Sequence, residues 1–222
     1  MGSERAVSAG ARFLTLEGGE GAGKSTQVAR LRDALTARGV PVLATREPGG
    51  SPGAEEIRSL LVAGAVDRWD AVSEALLHFA ARRDHLVKTV WPALAAGRWV
   101  ISDRFADSTR VYQGRALGLG EAAVAALYRL AVGDFAPDLT LILDLPAGDG
   151  LARARRRGGD DRYERLAPGF HETLRAAYLE IARRDPGRCL VIDARPPAET
   201  VHGAVLAAVL RRFPELGAAA TG

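Results

Sequence analysis

The chain has 222 residues and a formal net charge of +3 from 30 basic and 27 acidic side chains, enough length for one sizeable α/β core and too little charge to point to nucleic acid. Hydrophobic content of 47% against 26% charged excludes wholesale disorder, and no apolar run approaches the roughly 18 residues that a membrane span needs. A single cysteine, Cys189, excludes an internal disulfide framework and suits a reducing, cytoplasmic compartment.

Residues 1–11 carry no apolar h-region and read as a flexible leader rather than a signal peptide. Runs rich in β-formers predict strands at 13–17, 40–45, 99–103, 139–145 and 189–193. Helical periodicity covers 24–38, 53–63, 71–96, 121–132, 147–157, 169–184 and 197–212, with Pro92 kinking the third stretch. Residues 214–222 read as a flexible tail. Strands alternating with helices predict a parallel five-stranded sheet covered on both faces, in one domain over 12–213.

Between the first strand and the first helix stands Gly18-Gly19-Glu20-Gly21-Ala22-Gly23-Lys24-Ser25, a complete G-x-x-x-x-G-K-[ST]. Such a loop turns backbone N–H groups inward around phosphate oxygens and adds the positive end of the helix dipole. Lys24 reaches the β/γ-phosphates of ATP, and the Ser25 hydroxyl ligates Mg²⁺, with Thr26 following in the same turn. A glycine-rich turn with an incidental lysine is the bland alternative. The chain has two lysines in all, Lys24 and Lys88, which counts against it. Asparagine is absent, so the N-K-x-D guanine motif cannot be written and an ordinary GTPase is disfavoured.

Three polar clusters supply candidates for an acceptor site: Arg46-Glu47-Pro48-Gly49-Gly50, Phe79-Ala80-Ala81-Arg82-Arg83-Asp84-His85, and the stretch from Asp103 to Gly114. The first and third should lie at carboxyl ends of strands, where open α/β sheets collect ligands. Phe79 and Arg83 are four apart on one helix face, a ring beside a cation suited to a nucleobase. Alone, Phe79 reads as core. Asp144 is a rival to Asp103 as the acid ending a strand; without a neighbouring polar cluster it reads as structural. The run Arg153, Arg155, Arg156, Arg157 before Gly158-Gly159 admits a solvated helix face, a nucleic-acid patch lacking aromatics, or a lid with glycine hinges over about 150–163.

In the order E-G-G-E-G-A-G-K-S-T, R-E-P-G-G, F-A-A-R-R-D-H, D-R-F-A-D-S-T-R-V-Y-Q-G, L-A-R-A-R-R-R and D-R-Y-E, the chain resembles the bacterial thymidylate kinases from about residue 12 to 212. The resemblance implies a P-loop kinase fold, Mg²⁺ with ATP as donor, dTMP as acceptor and a homodimer. It implies that Phe79 stacks on thymine, that Arg83 binds the base edge, and that Ser108, Thr109 and Gln113 surround the nucleotide. Tyr112 lies beneath the sugar, Arg58 and Arg104 grip the acceptor phosphate, and Glu20 faces the 3′-hydroxyl. Asp103 acts on Mg²⁺, Arg153 lies against adenine, and Arg157 and Arg162 approach the transferring phosphoryl. Phe105 and Val111 depart from the common pattern of the family. The rival readings are a kinase for another nucleoside monophosphate or a nucleoside, and an ATP-dependent nucleic-acid-binding or regulatory protein.

Overall fold

The computed structural model describes residues 10–158 and 162–218. Strands β1 (Phe13–Glu17), β2 (Val42–Arg46), β3 (Trp99–Asp103), β4 (Leu139–Asp144) and β5 (Cys189–Asp193) form one sheet in the order β2-β3-β1-β4-β5. Every pairing is parallel. The helices are α1 (Lys24–Thr36), α2 (Pro52–Val62), α3 (Ala71–His85), α4 (Trp91–Ala95), α5 (Ala106–Thr109), α6 (Glu121–Ala131), α7 (Ala147–Arg156), α8 (Pro168–Arg184), α9 (Ala198–Arg212) and α10 (Glu215–Ala218). This is the doubly covered parallel sheet that strand–helix alternation demands.

Period-two alternation sends neighbouring strand residues to opposite faces. Leu14, Leu16, Ile101 and Leu141 pack with Leu31 and Leu35 of α1 and Val205 and Val209 of α9. Phe13 and Val100 face the other way, toward Phe79, Leu86 and Phe105. That second face also buries Thr15 and Glu17. Thr15 and Thr140 satisfy each other through their hydroxyls at 2.8 Å. Because Leu16 pairs with Asp103, the carboxyl ends of β1 and β3 lie side by side, bringing the phosphate loop and the Asp103–Arg104 pair together.

One expected helix differs in shape, and one stretch with no expected element is helical. The stretch 71–96 is α3, a π-helical turn Leu86–Val90, and α4. Pro92 has no N–H for the ladder and its ring crowds the preceding turn, so the chain widens before it. Asp70 starts α3 by accepting from the N–H groups of Val72 and Ser73. The stretch 104–120, without apolar periodicity, holds α5 and a π-helical segment Arg110–Ala116. At the chain ends, Trp99 Nε1 donates to Gly10 O at 2.8 Å, and Leu216 of α10 is buried with Phe213 three residues before it. The leader residues 1–9 and tail residues 219–222 lie outside the described residues.

Candidate active site

Gly23 caps α1 at φ 91, a conformation that lets the first helical N–H groups face the loop interior. Lys24 folds back across the loop, donating to Gly18 O at 3.1 Å and Gly19 O at 2.8 Å. Burial, together with the neighbouring Arg104 charge, draws its ammonium pKa down to about 8, against the pull of Glu20 and Asp103. Ser25 Oγ donates to Asp103 Oδ2 at 2.5 Å, a hydroxyl and a carboxylate meeting at the mouth of the loop. Ala22 is buried beneath it. A Cβ on Gly21 would stand 2.0 Å from Gly150 O, so α7 rests directly on the loop backbone.

Arg104 adopts φ 72, a left-handed conformation rare for a side-chain-bearing residue. It turns the guanidinium back over the loop, where it donates to Gly18 O at 3.1 Å and Glu20 Oε1 at 2.8 Å. Tyr112 donates to the same Glu20 oxygen at 2.7 Å, and Arg104 lies 5.1 Å above its ring. Burial would raise the Glu20 carboxyl, but Arg104, Lys24 and the Tyr112 hydroxyl more than offset it and hold the group down at about 2. Behind Arg104, buried Glu17 accepts from Phe105 N at 2.7 Å and Ser108 Oγ at 2.6 Å. Burial, reinforced by Asp107, pushes that carboxyl up to about 7.

From the loop a cavity of about 430 Å³ runs to α3 and the π-helical segment. Glu20, Arg58, Asp103, Arg104, Ser108, Thr109, Tyr112, Gln113 and Arg157 all line it. Phe79 and Arg83 do not. Phe79 follows the core row of Ala75, Leu86 and Val90 and is buried with Phe13 and Phe105; Arg83 turns outward, donating to Ala131 O and lying 4.9 Å over Trp91. The cavity-facing pair is one position earlier, His78 and Arg82. Arg82 donates to Glu47 at 2.8 Å and Thr109 at 3.1 Å, and Glu47 also holds His85 at 3.0 Å. The remaining nitrogen, Nη1, has no partner among the described residues, nor does Gln113 Oε1. Phe79 had the more obvious ring; its place in an apolar row running on to Val90 was the signal for core.

The arginine-rich segment is largely anchored. Arg153 holds the carbonyls of Ala194 and Arg195 at 3.0 and 2.9 Å, away from the cavity wall. Arg157 reaches Glu164 at 3.0 Å and faces the cavity. Arg162, expected near the reacting phosphoryl, is instead buried: it donates to Leu61 O at 3.0 Å and Val66 O at 2.9 Å and pairs with Glu74. A buried guanidinium needs such acceptors, and with them Arg162 takes no part in the cavity wall. Residues 159–161 of the expected lid lie outside the described residues. Asp144 is held by Arg175 at 2.7 and 3.0 Å, as a structural role requires.

Comparison with known proteins accords with this geometry. The family model for thymidylate kinase matches residues 16–205. A thymidylate kinase of Caulobacter vibrioides is 56% identical over 201 residues, 90% of this chain and 97% of its own. That of Gluconobacter oxydans is 53% identical, covering 89% and 93%. The crystal structure of the Ehrlichia chaffeensis enzyme superposes with a TM-score of 0.71 at 34% identity, over 90% of this chain and 99% of that one. The family model over most of the chain, the identity to these relatives and the superposition on this five-stranded parallel sheet place the chain in the thymidylate kinase family of ATP-dependent phosphotransferases.

Proposed function

We propose that the chain transfers the γ-phosphoryl of ATP to dTMP, giving ADP and dTDP, and so feeds dTTP synthesis. One observation carries the choice of base: Arg82 and Gln113 both line the cavity, and each keeps a buried polar atom, the donor Nη1 and the acceptor Oε1, with its hydrogen-bonding capacity unused among the described residues. Thymine offers the complement, an O4 acceptor beside an N3–H donor, whereas cytosine offers the reverse. Buried polar groups left unmatched are costly, so a pocket of this kind selects by what it leaves unpaired. His78 is a polar ring in the wall beside the base; burial and the Arg82 charge draw its pKa down to about 3, so it stands there neutral.

The rest of the substrate follows the cavity. Arg58 and Arg104 serve the acceptor phosphate, and Tyr112 with Glu20 serves the sugar. The backbone from Gly18 to Ser25, with Thr26, holds the donor phosphates; Lys24 leaves the Gly18 and Gly19 carbonyls for their oxygens. Arg153 is the adenine-side arginine, and Arg157 is the arginine that can swing from Glu164 to the reacting phosphoryl. The attacking oxygen belongs to a phosphate with a second pKa of about 6, so no general base is required. Positioning and charge neutralisation remain as the enzyme's contribution.

Ser25 Oγ and Asp103 Oδ2, 2.5 Å apart, form an all-oxygen donor set that fits Mg²⁺, which takes one or two protein oxygens alongside waters and phosphates. An ion held by these two side chains would supply neutralisation of phosphate charge. A homodimer is supported by an exposed apolar row, Val72, Leu76, Ala80 and Val87, on α3 and its π-helical extension. A cytoplasmic site accords with the single, buried cysteine; among the described residues no helix is long and apolar enough to cross a membrane.

An ADP-release assay with Mg-ATP and a panel of nucleoside monophosphates tests the assignment. Fast turnover with dTMP and weaker turnover with dUMP is the expected result. Activity confined to another monophosphate would refute the base assignment while sparing the phosphate loop.

A further inference from the structure

Glu74 lies on α3 one turn before His78, with its side chain enclosed and no face on the cavity. Three groups converge on its two oxygens. Gln113 Nε2 donates to Oε1 at 2.7 Å, the Tyr163 hydroxyl donates to the same oxygen at 3.0 Å, and Arg162 pairs with Oε2. A carboxylate only accepts. The Gln113 amide must therefore turn its NH₂ to Glu74, which forces Oε1 the other way. The same logic orders the neighbouring ring: Tyr163 has given its proton to Glu74, so its oxygen accepts from His78 Nε2 at 3.0 Å. An amide has two orientations of nearly equal shape, and hydrogen bonding decides between them. Among the described residues, the contact that decides for Gln113 is the one with Glu74.

We propose that Glu74 is a specificity-determining positioning residue: by holding the Gln113 amide in one orientation it makes the pocket accept a pyrimidine with N3–H and refuse one with a bare N3. It does so without touching the base. Because the same carboxylate anchors Arg162 and Tyr163, the reading of the base and the seating of the turn before α8 depend on one buried charge. This rests on the dTMP reading above.

The test compares kcat/KM for dTMP and 5-methyl-dCMP, which differ at N3 and C4, in the wild type, Glu74→Gln, Gln113→Met and the double variant. With Glu74→Gln the Gln113 amide can turn over and offer its NH₂ to a bare N3. The preference for dTMP should fall about tenfold or more, while Arg82 retains the remainder. In the Gln113→Met background, Glu74→Gln should leave the preference unchanged, since the group it orients is gone. If Glu74→Gln instead lowers both substrates in equal proportion, or changes the preference as much without Gln113, the role is structural and the proposal fails. Should Glu74→Gln not fold because Arg162 is left as an uncompensated buried charge, the same ratios are read with Arg162→Met added. A wild type that ignores dTMP would sink the dTMP reading itself, a result distinct from any change in the ratio.

Discussion

At the residue scale the site depends on carboxylates whose neighbours decide their charge. Glu20 and Glu17 stand three residues apart, yet one is held at about 2 and the other pushed up to about 7. Glu20 meets Arg104, Lys24 and a phenol. Glu17 is sealed in the sheet with Asp107 close by. For Glu17 the native carboxyl keeps its proton up to about 7 and the unfolded one releases it near 4.5, so the stability it confers is full below 4.5 and is lost as pH rises through 7. The shift corresponds to something on the order of 3 kcal/mol. Glu17→Gln keeps the neutral form at every pH; its stability relative to wild type should therefore rise between pH 5 and 8 in denaturant titrations. A flat difference would show that Glu17 ionises normally in the fold.

The displaced base pocket gives a second residue-scale prediction. Arg82→Lys removes the fork that reaches Glu47, Thr109 and the cavity together, and kcat/KM for dTMP should fall about 100-fold or more. Arg83→Lys, at an exposed guanidinium over Trp91, should stay within about twofold of wild type. The reverse ranking would restore the phase read from sequence. The cavity-facing pair lies one residue earlier; two arginines adjoin, and the i,i+4 rule fits His78–Arg82 and Phe79–Arg83 equally. What separated them was burial along the Ala75–Phe79–Leu86 row. A partner network such as Glu47–Arg82–Thr109 joins positions far apart in the chain, and no local pattern announces it.

At the scale of elements, α7 is placed by a contact between two glycines. A Cβ on Gly150 would stand 2.3 Å from Glu20 O, and one on Gly21 would strike Gly150 O. The helix that presents Arg157 is thus seated on the peptide whose side chain, Glu20, binds Arg104. Gly150→Ala must lift α7 or push the loop. A displacement of about 1 Å at such a site costs about 10²-fold, so kcat should drop while the thermal midpoint moves little. Unchanged kcat in steady-state assays would mean that the seating is incidental. Local chemistry made the helix beginning at Lys24 and the strand ends legible. The segment 104–120 was not, because it carries no apolar rhythm and is held by tertiary partners, α5 by Glu17 and the π-helical turn by Glu20.

For the whole molecule, the parallel sheet was implicit in strand–helix alternation and the motif at 18–25 marked the end of it that binds phosphate, whereas the order β2-β3-β1-β4-β5 has no local signature. Oligomeric state is a different matter. The row Val72, Leu76, Ala80, Val87 was legible as a helix but not as exposed, since exposure depends on where α2 and α6 settle. Leu76→Glu places a charge in that row. It should turn a dimer into a species of 23.5 kDa by light scattering, with the fold retained. A wild type already of that mass would remove the dimer proposal.

The arrangement around Lys24 also makes the protein its own occupancy reporter. The chain carries two lysines. One of them is an amine drawn down to about 8 by burial and set in the wall of the cavity, hence partly unprotonated and nucleophilic in mildly alkaline buffer. A small phosphate-bearing aldehyde followed by hydride reduction should tag it, and a single peptide mass then reads out the fraction of loops left open. Nucleotide in the loop protects the amine both by covering it and by returning it to the charged form, so the tag's disappearance is a binding isotherm obtained without turnover.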